Sequence, residues 1–335
     1  MSSNELLRLN NVKAYYEVRI SMKSKAYTRA VDGISLGVKE GEVLGIVGES
    51  GCGKSTLANV MLMDIRAPLK FIEGEVILNA DGVTYRLDKM SEEELRRKIW
   101  GNEIALIPQA CMNALNPTLK IKKIILDIFE SKYKNIDEDE VLGRAAEFLN
   151  RLQLESKVLD MYPFELSGGM KQRVTIAIAT LLQPKLLIAD EITSALDVKL
   201  QKITIKTLKE LLEKHIVKSI VFITHDIAVV RQIATRIAVI YAGKLVEIGN
   251  TEDIIFNPLH PYSKALIGSV VSPEPEIRKR GLNYLPGFPP DLTNPPPGCR
   301  FHPRCPYAKD ICRKQEPPET QTNNRQVKCW LYAKR

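Results

Sequence analysis

The run Gly48-Glu49-Ser50-Gly51-Cys52-Gly53-Lys54-Ser55 constrains this chain more than any other stretch. It fits G-x-x-x-x-G-K-[ST], follows the apolar run Val43 to Val47 and precedes a helical pattern from Lys54 to about Asp64. A strand, a glycine loop and a helix in that order point to a parallel α/β sheet. The glycines Gly48, Gly51 and Gly53, with Ser50 and the backbone of Cys52, let N–H groups close on phosphate oxygens. Lys54 reaches the β- and γ-phosphates, the Ser55 hydroxyl is placed for Mg²⁺, and Thr56 adds a donor at the helix start.

A second glycine-rich run, Leu166-Ser167-Gly168-Gly169-Met170-Lys171-Gln172, opens another predicted helix far downstream. Its N–H groups and the positive end of the helix dipole can face an anion. Two phosphate-binding helix starts in one chain suit a nucleotide buried between two such bodies. Leu186 to Ala189 is a continuous apolar run, as a buried parallel strand requires, and it ends in Asp190-Glu191. Asp190 is placed to hold Mg²⁺, and Glu191 to polarise an attacking water as a general base. The apolar run Ile220 to Thr224 ends in His225-Asp226, where His225 can sense a γ-phosphate. A histidine after a strand is more often structural. Gln109 ends the strand Glu103 to Pro108 and can touch Mg²⁺ or water; the bland alternative is a surface glutamine.

The rest of the chain organises around these sites. Leu6 to Tyr16 and Val31 to Val38 read as strands. Ser91-Glu92-Glu93-Glu94 has the form of a capping box. Val141, Ala145, Phe148, Leu149 and Leu152 give one apolar helix face within a helical insert over about 110–180. Helices are expected over about Val198–Lys214 and Asp226–Thr235, with a hairpin at Ala242-Gly243. A proline-rich linker occupies 271–298, including Pro289-Pro290 and Pro295-Pro296-Pro297, and a cysteine-rich extension occupies 299–335. No apolar run approaches the roughly 18 residues that span a bilayer, and the first residues lack an export signal. The expectation is a cytoplasmic protein. A net charge of +8 admits nucleic acid or an anionic surface as partner, but the basic residues are scattered, which fits a solvated surface. Cys52 and Cys111 stand apart. Cys299, Cys305, Cys312 and Cys329 share one window with the spacing C-x5-C-x6-C-x16-C. In a reducing cytosol such a cluster favours metal over disulfides. It lacks the close pair of structural zinc sites and matches no ferredoxin spacing, so zinc, an iron–sulfur cluster and unligated thiols all stay open.

Together these motifs resemble the ABC ATPases over roughly 5–270. Gly48–Ser55 resembles the Walker A loop, Gln109 the Q-loop, Leu166–Gln172 the signature and Leu186–Glu191 Walker B. Ser194-Ala195-Leu196-Asp197 resembles the D-loop, and His225 the switch histidine. Tyr16, rather than Tyr15, sits where the family stacks an aromatic on adenine. The resemblance narrows to the dipeptide/oligopeptide importer ATPases on Ile107-Pro108-Gln109 with Leu115-Asn116-Pro117, the run Glu165 to Val198, His260-Pro261-Tyr262-Ser263-Lys264-Ala265-Leu266 and the tail Pro295 to Pro306. Ile192 departs from the usual proline after the catalytic glutamate, which bears on the turn there.

The resemblance implies an α/β P-loop fold: a RecA-like core with an antiparallel β subdomain and a helical subdomain (1–270), extended by the small cysteine-rich tail. ATP and Mg²⁺ are the implied cofactors, with Ser167, Gly168 and Gly169 contributing to nucleotide held by a partner and Asp197 counted among the nucleotide-binding residues. A [4Fe–4S] cluster is implied on Cys299, Cys305, Cys312 and Cys329, with zinc as the alternative and His302 outside the ligand set. The implied partners are two transmembrane permeases, a paralogous ATPase or a second copy, and indirectly an extracellular solute-binding protein, at the cytoplasmic face of the membrane. The main rival is a soluble ABC ATPase acting on nucleic acid or ribosomes; such proteins join two cassettes or carry long inserts, and this chain has neither. A nucleotide-binding module without turnover is the second rival, opposed by the intact Lys54, Asp190, Glu191 and His225. The cargo class stays open among peptides, oligosaccharides and nickel.

Overall fold

A computed structural model describes all residues except 1–4, 20–23, 110–114, 195, 270–286, 323 and 334–335. Cys111, Ala195, the start of the helical insert and most of the expected linker lie outside the described residues. In chain order the strands are β1 (Glu5–Arg19), β2 (Lys25–Lys39), β3 (Val43–Val47), β4 (Leu69–Ala80), β5 (Val83–Arg86), β6 (Ile104–Ile107), β7 (Leu186–Asp190), β8 (Ser219–Ile223), β9 (Arg236–Tyr241), β10 (Lys244–Asn250), β11 (Glu319–Thr322) and β12 (Arg325–Lys328). The helices that matter here are α1 (Lys54–Leu62), α2 (Glu92–Glu94), α3 (Ile121–Glu130), α4 (Glu138–Arg151), α5 (Gly168–Thr180), α6 (Val198–Glu213), α7 (Ile227–Ile233), α8 (Thr251–Phe256) and α9 (Pro261–Gly268).

The chain forms two compact units, one of residues 1–89 with 221–335 and one of residues 90–220. In the first, β2-β1-β4-β5 make an antiparallel sheet. Beside it β3 runs parallel to β9, and β9 turns back into β10. All five residues of β3 are buried, which is why the strand reads as an unbroken apolar run rather than an alternating one. The β9–β10 turn places Ala242 at φ 49° and Gly243 at φ 78°, the paired left-handed geometry that a two-residue hairpin demands.

β4 and β5 do not stand out in the sequence. Leu69-Lys70-Phe71-Ile72-Glu73-Gly74-Glu75-Val76 lacks clean alternation, and the strand is defined by its long pairing with β1. The tail also holds strands that its own residues do not announce. β12 pairs with β10 through Val327–Glu247, and β11 pairs with β12. Phe301 is 1% exposed and packs edge-on against Tyr241 and Tyr262. The extension therefore borrows its core from the unit that carries the phosphate loop.

In the second unit β6 and β7 run parallel, with Ile104 opposite Leu186 and Ile107 opposite Ala189. The predicted capping box forms: Ser91 Oγ accepts from Glu94 N while the Glu94 carboxylate accepts from Ser91 N, starting the single turn α2. Asp137 caps α4 by accepting from the N–H groups of Asp139 and Glu140, and the helix buries Val141, Ala145, Phe148 and Leu149 as its periodicity requires.

One buried ion pair ties the tail to the sheets. Arg300 donates to Asp32 and to the Ala242 carbonyl, and Tyr15 Oη donates to Asp32 Oδ1 at 2.7 Å. Burial alone would push the Asp32 carboxyl up, but the Tyr15 hydrogen bond and the charges of Lys244 and Arg300 hold it below its ordinary value. A carboxyl depressed in the folded state stabilises above its unfolded value and loses that contribution as pH falls through the folded one. Asp32→Ala leaves the buried Arg300 without its countercharge and is expected to cost about 3 kcal/mol at neutral pH. Denaturant titrations of the two proteins should converge as pH drops below about 3.9; a gap that persists there contradicts the assignment.

Candidate nucleotide site

The phosphate loop is shaped by close backbone approach. A Cβ on Gly48 would sit 2.2 Å from the Ile240 carbonyl oxygen, and one on Gly53, at φ 105°, would sit 1.9 Å from the Ala30 carbonyl oxygen. Only glycine fits at these points, and the chain can then wrap into α1 with its first N–H groups directed forward. Lys54 is 5% exposed, and its Nζ donates to the carbonyls of Gly48 at 2.8 Å and Glu49 at 3.0 Å, so the ammonium lies inside the loop it must serve. Ser50, Gly51 and Ser55 are exposed, whereas Thr56 is buried. Cys52 is buried, which pushes its thiol up and leaves it a small packing group rather than a thiolate. Tyr16 Oη lies 3.1 Å from Thr56 Oγ1, beside the start of α1, while Tyr15 is committed to Asp32. His225 is exposed directly after β8, and Asp226 caps α7 by accepting from Ala228 N and Val229 N.

The second unit carries the acid pair. Asp190, the last residue of β7, is 5% exposed. Glu191 follows at φ 48°, a left-handed conformation that costs a non-glycine residue roughly 1 kcal/mol. The turn is secured by Ser194, whose N and Oγ both donate to the Glu191 carbonyl, at 3.2 and 2.9 Å. Gln109 and Glu191, 82 residues apart, meet through Gln109 Nε2 donating to Glu191 Oε2 at 3.3 Å. Ile192 is buried, and its carbonyl accepts from the buried Gln172 Nε2 at 2.9 Å. The turn after β7 is thus clasped to α5. Ser167 caps α5 through Met170 N at 3.4 Å, leaving Gly168 exposed and Gly169 packed against Leu200. Asp197 caps α6 by accepting from Leu200 N at 2.9 Å.

Cys299, Cys305, Cys312 and Cys329 line one cavity with His260, His302 and Trp330, and no carboxylate of the described residues faces it. Burial pushes the Cys299 thiol up to about 12, that of Cys329 up to about 11, and Cys305 upward too; the other thiols add to each shift by charge repulsion. Among the described residues, no group of three or more His, Cys, Asp or Glu side chains is arranged to hold a metal ion. Four sulfur donors share the cavity, but burial favours the thiol form at Cys299, Cys305 and Cys329, and the arrangement as it stands makes no metal site. His302 Nδ1 lies 3.0 Å from the Cys299 carbonyl oxygen.

Two side chains that sequence reasoning passed over hold the loop from behind. The Tyr262 hydroxyl, on α9, accepts from Glu49 N at 2.9 Å. Arg304, in the tail, donates to both carboxylate oxygens of Glu49, at 2.7 and 3.0 Å. Tyr262 and Arg304 both belong to runs that read only as marks of a subfamily, and the signal was their position in those runs.

Residues 31–194 match the ABC transporter family, and residues 246–312 match the oligopeptide/dipeptide transporter C-terminal region. The chain is 43% identical over 329 residues to the dipeptide transport ATP-binding protein DppD of Caldanaerobacter subterraneus subsp. tengcongensis, covering 98% of this chain and 97% of that protein. It is 40% identical over 331 residues to the oligopeptide transport ATP-binding protein AppD of Bacillus subtilis, with 98% and 97% covered. The fold is similar to the dimeric ATP-binding cassette MJ0796 in a post-hydrolysis state bound to ADP and Pi. That similarity has a TM-score of 0.59 at 31% identity and covers 73% of this chain and 98% of that one.

Gly53→Ala forces a Cβ into the Ala30 carbonyl and a positive φ at once. It is expected to displace the loop and abolish ATP binding, measured by calorimetric titration with MgATP; binding within twofold of the parent would show that the close approach is dispensable.

Proposed function

The chain belongs to the ABC transporter family, on its dipeptide/oligopeptide branch, and we propose that it hydrolyses ATP to energise uptake of dipeptides or oligopeptides through partner permeases. As a member of that family it is an ATPase. The observation that carries the chemistry is the pairing of Gln109 with Glu191 at the end of a buried strand. A carboxylate so placed is fixed in direction, and a glutamine beside it can orient the water that the carboxylate polarises.

The chain's own residues divide the work. Gly48, Ser50, Gly51, Cys52, Gly53, Lys54 and Thr56 cradle the phosphates, and Tyr16 receives the adenine. Ser55, Asp190 and Gln109 hold Mg²⁺. Glu191 takes the proton of the attacking water, and His225 contacts the γ-phosphate. Ser167, Gly168, Gly169 and Asp197 serve the nucleotide held by a partner ATPase, either a paralogue or a second copy. Two transmembrane permeases and an extracellular solute-binding protein complete the importer, with this subunit at the cytoplasmic face. No helix among the described residues is long and apolar enough to cross a membrane, which suits a peripheral subunit.

The cysteine-rich tail belongs to the same reading. Four thiols on one cavity wall, free of carboxylates, support a [4Fe–4S] group held by Cys299, Cys305, Cys312 and Cys329, with zinc as the alternative. Such a group would cross-link the short segments of the tail, each too small to hold its own core.

Glu191→Gln should retain ATP binding, slow turnover by about 10²–10⁴-fold and accumulate a closed dimer on size-exclusion chromatography with ATP; hydrolysis at the parent rate removes Glu191 from the general-base role. Protein purified without oxygen should be brown, absorb broadly in the visible and contain iron. Zinc without iron rejects the cluster.

A further inference from the structure

We propose that Arg304 is a positioning residue for the phosphate loop: by neutralising Glu49 it makes the C-terminal tail a determinant of ATP affinity. The inference rests on the reading of Gly48–Ser55 as the triphosphate site. Glu49 is the second residue of that loop, and its carboxylate has the same sign as the ligand. Left alone, it would repel an incoming triphosphate and compete for the Lys54 ammonium, which already binds the Glu49 carbonyl at 3.0 Å.

The structure removes that charge by a bidentate pair. Arg304 Nη1 and Nη2 donate to separate Glu49 carboxylate oxygens at 2.7 and 3.0 Å, the fork geometry that gives arginine–carboxylate pairs both strength and direction. The Arg304 side chain is 6% exposed and that of Glu49 is 23% exposed, so water screens the pair less than it would a surface pair. Arg304 is itself held on several sides. Its guanidinium lies 5.7 Å from the centre of the Tyr241 ring, and it donates to the Tyr241 hydroxyl at 3.3 Å and to the Gly287 carbonyl at 3.4 Å. Its backbone N–H donates to the Phe301 carbonyl at 3.0 Å, within the short turn between Cys299 and Cys305.

The loop is gripped at two further points of the same unit. Tyr262 Oη accepts from Glu49 N at 2.9 Å, and Gly243 N donates to the Cys52 carbonyl at 2.8 Å. Among the described residues, Glu49 is where the grip is ionic and comes from the tail. Lys244 and Arg300 are engaged with Asp32, so they do not substitute for Arg304.

The test is a double-mutant cycle on the full chain, read by calorimetric titration with MgATP and by the ATP dependence of turnover. Arg304→Met should raise Kd and KM for ATP about tenfold while kcat at saturating ATP stays within twofold. Arg304→Lys should recover part of the loss, because it restores the charge without the fork. Arg304→Met combined with Glu49→Gln should return Kd to within threefold of the parent, because the offending carboxylate is gone. An unchanged Kd in Arg304→Met overturns the proposal. So does a double variant as weak as the single one, which would mean that Arg304 matters only to the folding of the tail. Lys54→Ala separates the two readings: if it binds MgATP as tightly as the parent, the loop is not the triphosphate site and the premise itself fails.

Discussion

The contact between backbone and backbone at the phosphate loop is the constraint on which the rest of the first unit depends. Gly53 lies so near the Ala30 carbonyl, and Gly48 so near the Ile240 carbonyl, that β2 and β9 serve as the walls of a mould. Those strands are held in turn. β9 is paired with β3 and β10, and β2 is tied through Asp32 to Tyr15 and Arg300. The N–H groups at the start of α1 can be left for an anion because the polar groups on the back of the loop already have partners.

The second unit follows a different logic. Glu191 sits at a strained φ, and the turn that carries it is secured by short-range hydrogen bonds. Ser194 bonds the Glu191 carbonyl, and Gln172 bonds the carbonyl of Ile192 from within α5. The turn after β7 is therefore joined to the helix whose N-terminus carries Ser167 and Gly168. A change in that turn has a short, hydrogen-bonded route to the N-terminal part of α5.

What could be read from the sequence is what is written in adjacent residues. Val43 to Ser55 states a strand, a loop and a helix in order. Leu186 to Glu191 states a buried strand with acids at its tip, and Ser91 to Glu94 states a cap. Each is decided within a few residues by sterics or by a local hydrogen bond. β4 was not legible, because Lys70, Glu73 and Glu75 break the pattern that its pairing with β1 later justifies. Nor were β11 and β12, whose polar residues become strands only against β10. The meeting of Gln109 with Glu191 could be guessed from chemistry. The meeting of Arg304 with Glu49 could not, because it joins residues 255 positions apart that carry no common motif. Reading such a pair needs the fold, since loop closure over that length leaves no trace in local composition.

The tail strands alter the sheet in one more respect. Without them β10 would end the sheet as an open rim of unpaired amides on a strand whose residues Leu245 to Gly249 are all buried in the folded chain. β12 covers that rim, and β11 moves the free border out to Glu319-Thr320-Gln321-Thr322, four polar residues. A short hydrophilic border is a poor template for another chain to add onto. The extension is therefore also a hem, and a chain cut short of it would carry a sticky seam into a crowded cell.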